Sequence, residues 1–240
     1  MIVGIHQPEH LPWLGFFNKM MNADELVILD NVQYRKRYFQ NRNQILVNGE
    51  KKYIAVPVNV DNYREKTIAD MQIYSDTEVP WKNKYLKTIE YNYKHHPFFG
   101  EYFPFFENLL DEDISSLYEF NMEIIRYFSQ KLGINTKIVK ASELFPSGKK
   151  SDLILDIARK SRADIYLSGP AGRDYMDLDK YKRNDMGVWF NDFEHPTYMQ
   201  KGTEKFIPYL STLDLLMNVG ANQGREIISS GTVITKMIWG

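Results

Sequence analysis

The sequence predicts an α/β fold: a mostly parallel, Rossmann-like sheet with flanking helices and an inserted β-hairpin. Three observations carry this. The first thirty residues read strand, loop, helix, strand, which is the βαβ unit of a parallel sheet. A second crossover follows, from the amphipathic run SDLILDIARKSRA into the strand ADIYLSG. Between them, NRNQILVNGEKKYIAVPV alternates around Asn48-Gly49, a strong hairpin turn signal.

Taken in order, MIVGI is a short buried strand ended by Gln7-Pro8. Trp13, Phe16, Phe17, Met20 and Met21 then fall at helical spacing, and ELVILD is a second strand ending on Asp30. After the hairpin, WKNKYLKTIEYNYKHHPFF is helical up to Pro97, and another helix runs around Phe103 to Leu110. ISSLYEFNMEIIRYFSQKLGI places Leu117, Phe120, Ile124, Tyr127, Phe128 and Leu132 on one face, with Gly133 closing the helix. TKIVKAS is a strand. A helix then begins at a Ser151 cap with Leu153, Ile157 and Ala158 turned inward. GVWF is a short strand, and LSTLDLLMNVG is a helix capped by Ser211 and ended by Gly220. The expectation is one domain over 1–240, with 143–151 (ELFPSGKKS) as the candidate hinge.

Thirty basic against 31 acidic residues leave a net charge of −1, so no overall field draws the chain to nucleic acid or to an anionic membrane. The chain has no cysteine, which excludes disulfides, thiolate nucleophiles and Cys-ligated zinc and fits a reducing cytoplasm. The N-terminal run lacks the pattern of a secretion signal, and no apolar run reaches the ~20 residues of a membrane helix. The expected location is cytoplasmic.

Candidate chemistry gathers in three clusters. His6 and Gln7 stand at a strand end, where ligands of open parallel sheets bind, and Pro8 restricts their backbone. An imidazole there either moves a proton near neutral pH or pins the loop through a backbone carbonyl. His10 and Trp13 follow in the same loop. Metal binding is not expected: Pro8 and Pro12 forbid the helix that would align His6 with His10, and His95 and His96 diverge. In LDNVQYRKRYFQNRNQ, Asp30 orients a histidine, holds a ligand amine or hydroxyl, or caps a turn. Gln33, Tyr34, Asn41 and Arg42 lie close by, and Arg35-Lys36-Arg37 either pairs with a pyrophosphate or is a solvated face. In YLSGPAGRDYMD, the small residues Ser168, Gly169 and Gly172 leave backbone N–H groups open to phosphate or carbonyl oxygen, or form an ordinary turn, and Tyr175 follows. This is not GxGxxG, a P-loop or GxSxG. Gln200, Asp214 and Asn218 sit in apolar company, where burial demands pairing.

IHQPEHLPWLGFF, LDNVQYRKRYFQNRNQI, IYLSGPAGRDYMD, YMQ and PYLSTLDLLMNVG together resemble, in order and over essentially the whole chain, the signatures of the WbqC-like family. His10 stands where that family commonly has Tyr, which favours His6 over His10 as the reactive imidazole. The resemblance implies a bacterial protein encoded with genes for surface polysaccharide, notably the O-antigen of lipopolysaccharide. The activity we take from it is transfer of an acyl or aminoacyl group to the amine of a nucleotide-linked amino sugar. The co-substrate would be a thioester of a carrier protein or coenzyme A, with no tightly bound cofactor. His6 would be the base and Asp30 its orienting partner. Tyr34, Tyr175, Trp13 and Gln200 would line the sugar or base pocket. Two other readings stay open: a nucleotidylyltransferase-like enzyme, although HxGH is absent, and a noncatalytic binding or scaffold protein of glycan assembly.

Overall fold

The computed structural model describes residues 1–74 and 80–237. Among the described residues eight strands form, β1 (Ile2–His6), β2 (Glu25–Ile28), β3 (Arg42–Val47), β4 (Glu50–Ala55), β5 (Lys137–Lys140), β6 (Ile165–Ser168), β7 (Gly187–Asn191) and β8 (Ile234–Met237). The helices are α1 (Leu14–Met21), α2 (Trp81–Tyr93), α3 (Phe99–Asp111), α4 (Leu117–Lys131), α5 (Ser151–Lys160), α6 (Leu178–Arg183) and α7 (Thr212–Ser230). The main sheet runs β5-β2-β1-β6-β7-β8. Only β8, at one edge, is antiparallel to its neighbour. Counting these six strands alone, the order is the 3-2-1-4-5-6 of doubly wound sheets. The β3–β4 hairpin stands apart, paired from Arg42↔Ala55 to Val47↔Glu50 around Asn48 and Gly49, both at positive φ.

Alternation along the strands builds a core on each face. Leu26 and Ile28 of β2 pack with Phe16, Phe17 and Met20 of α1, in a core that also takes in α2, α3, α4 and α7. Val3 and Ile5 of β1 face the other way, with Val27, onto Ile154, Ile157 and Ala158 of α5. Helix α4 is capped by the Ser116 hydroxyl and closed by Gly133 at φ +61°. Among the described residues, no helix is long and apolar enough to cross a membrane.

The structure departs from the sequence reading in three places. The last long helix does not end at Gly220. That residue breaks it at φ +74°, ψ 178°, and the chain resumes helix to Ser230. A Cβ at Gly220 would stand 2.6 Å from the Phe98 ring, and the Phe98 N–H donates to the Met217 carbonyl freed by the break. Ser151 does not cap α5: it is the first helical residue, and its hydroxyl accepts from the Asp177 N–H at 3.3 Å. Helix α6 and strand β8 have no counterpart in the sequence reading. In the 143–151 loop, the Ser147 N–H donates to Asp156 of α5 at 2.8 Å.

Candidate functional site

From β1 the chain winds through α1 to β2 on one side of the sheet; β6 enters on the other side, after α5. The loops leaving β1 and β6 therefore part company, and a crevice opens at the carboxyl ends of these two neighbours. A cavity of about 520 Å³ occupies that position. Its lining includes His6, Gln7, Trp13, Ser168, Gly169, Gly172 and Tyr175 of the sequence-predicted residues.

His6 ends β1 and packs edge-on against Phe16 of α1, with ring centroids 4.9 Å apart. Its Nδ1 lies 3.0 Å from the Gln7 carbonyl oxygen. A carbonyl only accepts, so Nδ1 carries the proton and Nε2 keeps its lone pair. Nε2 is 3.9 Å from Glu9 Oε1, and the imidazole remains a quarter exposed. Burial, and then the charge of Lys19, hold the His6 pKa well below its usual 6.5, so the ring is neutral.

Beside it, Glu9 and Lys19 are both over nine-tenths buried. Lys19 donates through Nζ to the Ile5 carbonyl at 2.7 Å, while Glu9 Oε2 has no hydrogen-bond partner. Burial raises the Glu9 pKa, the lysine opposing it more weakly, and burial lowers that of Lys19. At Gly4 the close neighbour of an added Cβ would be Leu26 Cδ1 at 3.0 Å, with the Lys19 stem in ordinary contact at 3.6 Å.

Gln7 is oriented by a relay. The Arg35 N–H donates to Gln40 Oε1 at 2.8 Å, so the Gln40 amide nitrogen donates to Gln7 Oε1, also at 2.8 Å. The Gln7 Nε2 group is thereby a donor on the cavity wall. Opposite, Ser168 is 1% exposed and its hydroxyl donates to the Gly169 carbonyl at 3.0 Å, so it serves the turn and is no free nucleophile. Gly172 packs so tightly against it that a Cβ would fall 2.0 Å from Ser168 Oγ. Trp13, Tyr175 and Tyr209 line the cavity with Tyr38 and Phe39.

Nine predicted residues lie outside the cavity lining. Asp30 does not orient His6: its Oδ1 accepts from the Ser142 N–H at 2.8 Å and Oδ2 faces Lys140 at 3.9 Å, while Glu9 is the carboxyl beside the imidazole. His10 is fully buried, with Nδ1 on Asn121 Oδ1 at 3.0 Å and Nε2 on the Tyr85 hydroxyl at 2.9 Å. Both nitrogens are spent in the core, and burial lowers its pKa to about 4. Tyr34 donates to Asn41, which donates to Val56. Gln33 donates to the Arg64 carbonyl, and Arg42 to that of Arg37. Asp214 accepts from Tyr93, Tyr198 and Gln200, and Asn218 accepts from the Lys201 N–H; together they tie residues 198–201 to α7. For the buried groups among them, these are structural pairings of the kind burial demands.

Sequence reasoning passed over Glu9, Lys19, Tyr38, Phe39, Asn43, Gln44, Tyr166 and Tyr209, all on the cavity wall. One signal was available for Lys19: it lies three residues after Phe16 and next to Met20, a charge on the apolar stripe of α1.

Fold and crevice define a doubly wound α/β protein with a built cavity at its topological switch point. The sequence model of the WbqC-like protein family matches residues 7–226, and the chain belongs to that family. It is similar to Uncharacterized protein Rv1507c of Mycobacterium tuberculosis, 28% identical over 220 residues that cover 91% of this chain and 94% of that protein. No solved structure matches.

Proposed function

We propose that this protein transfers an acyl or aminoacyl group from a thioester to the amine of a nucleotide-linked amino sugar, in the cytoplasmic assembly of a bacterial surface polysaccharide of the O-antigen type. The observation that carries the reading is the neutral His6 imidazole, its Nε2 lone pair at the wall of a 520 Å³ cavity and a Gln7 amide donor beside it.

The amine attacks the thioester carbon, the C–S bond breaks, and the departing thiolate leaves as a thiol. His6 Nε2 takes the proton that the attacking nitrogen loses and passes it to the sulfur. Gln7 Nε2 donates to the oxyanion of the tetrahedral intermediate. No enzyme nucleophile is required, so a chain without cysteine meets the chemistry. Trp13, Tyr38, Phe39, Tyr175 and Tyr209 offer flat faces to a sugar or base. The exposed Arg35, Lys36 and Arg37 adjoin Tyr38 and Phe39 and suit a pyrophosphate or the acidic face of a carrier protein.

The nucleotidylyltransferase reading needs a second histidine at the site, and His10 is sealed in the core. Purified protein incubated with amino-sugar nucleotides and acyl thioesters, followed by mass spectrometry, tests the proposal. An N-acylated sugar that disappears with His6→Ala supports it. Tight ligand binding without any acylated product returns the protein to a noncatalytic role in glycan assembly.

A further inference from the structure

Glu9 Oε2 is the one carboxylate oxygen on the cavity wall that is buried and has no hydrogen-bond partner. Lys19 does not supply one: its Nζ donates to the Ile5 carbonyl and forms no hydrogen bond with Oε2. A buried polar atom left unpaired is costly, and its natural complement is a donor brought by a ligand. The second acceptor on the same wall is His6 Nε2, 3.9 Å from Glu9 Oε1. Glu9 Oε1 and His6 Nε2 are close enough for one nitrogen to lie at an ordinary hydrogen-bond distance of about 2.9 Å from both. Once the carboxyl gives up its proton, Glu9 and the His6 Nε2 lone pair are two acceptors that suit a group carrying several N–H bonds.

We propose that Glu9 is the specificity residue for a primary ammonium group, which enters as its cation and is held between the Glu9 carboxylate and the His6 imidazole. This deepens the acyl-transfer reading by saying how the acceptor is chosen, but the recognition needs no transfer step. The titratable groups that share the cavity wall with Glu9 are His6 from β1, Lys19 from α1, Tyr38 from the loop after β2, Tyr166 from β6, Tyr175 from the loop after it and Tyr209 from the loop before α7. In the free protein burial keeps the Glu9 proton on. A bound cation favours the ionised carboxylate, so that proton passes to the buffer. A hydroxyl in place of the amine carries no charge and releases none.

Calorimetry with glucosamine and glucose as probes tests this, near neutral pH and in two buffers of different ionisation enthalpy. Glucosamine should bind with net proton release. Glucose should bind roughly tenfold or more weakly without it, the difference made by a charge-assisted hydrogen bond. Glu9→Gln should abolish both the preference and the proton release. Equal affinities, no proton release, or no glucosamine binding at millimolar concentration would overturn the proposal, and the wild-type comparison decides even where the variant does not fold. Failure of acyl transfer with the amine preference intact would reject the reaction and keep the recognition; acyl transfer without the preference would do the reverse.

Discussion

The imidazole Nε2 of His6 stands 3.9 Å from the Oε1 of Glu9, three residues further along and beyond Pro8. The pair exists because β1 ends at His6 and the loop through Pro8, whose ring fixes its φ, brings the Glu9 carboxyl beside the imidazole. Since the Gln7 carbonyl fixes the proton on Nδ1, the nitrogen facing the carboxyl is the basic one. That single tautomer organises the site.

Replacing His6 removes the base and leaves the cavity walls in place. His6→Ala should lower acyl transfer by about 10²–10⁴-fold, with substrate affinity changed far less. Product formation by mass spectrometry and binding by calorimetry separate the two effects. Equal losses in both would return the ring to a structural role.

His10 makes acid stability a sharp test of its placement. Its pKa falls from 6.5 to about 4 on folding, so the unfolded chain binds the proton first. Stability from this group is complete above pH 6.5 and declines as pH falls toward 4, at up to ~1.4 kcal/mol per pH unit. His6, also lowered, adds in the same direction. Denaturant melts across that window should show a shallower slope for His10→Gln than for the wild type.

Gly220 carries the break in α7. Gly220→Ala should destabilise by about 1–2 kcal/mol from the positive φ alone, and by more because the Phe98 ring must move. Chemical denaturation measures the loss. An unchanged midpoint would mean that the kink is not required.

Gly15 holds open the space for the Trp13 indole, which a Cβ there would approach to 2.3 Å. Gly15→Ala should displace that ring from the cavity wall, altering tryptophan emission and weakening ligand binding while the helix survives. Alanine is otherwise the better helix former, so the fold should not suffer from propensity.

Asp214 tests the opposite case, a buried carboxylate outside the cavity lining. Asp214→Ala strands the Tyr93 and Tyr198 hydroxyls at about 1–3 kcal/mol each, so stability should drop sharply. A variant that melts as the wild type does would show that these hydroxyls find other partners.

Much of the sheet was legible in the chain because its signals are local. MIVGI and ELVILD are short apolar runs flanked by breakers, and Asn48-Gly49 names its own turn. Position His6 could be singled out for the same reason, as a polar residue at a strand end before a proline. Helix α6 and strand β8 left weaker traces, each short and carrying charge. Gly220 reads as a terminator in any local scheme, since only the Phe98 contacts show how the helix is carried past it.

By itself the sequence determined the α/β winding, the strand end that bears His6 and the absence of a thiol chemistry. The tertiary structure alone decided which polar residues meet. Asp30 and Glu9 are both carboxylates close to the same strand ends, yet one turns to the Ser142 amide and the other to the imidazole. His10 shares a loop with His6 and is nonetheless consumed by Asn121 and Tyr85. Those partners lie 111 and 75 residues away, and a hydrogen bond across such a separation is set by how helices pack on the sheet, which no local pattern encodes.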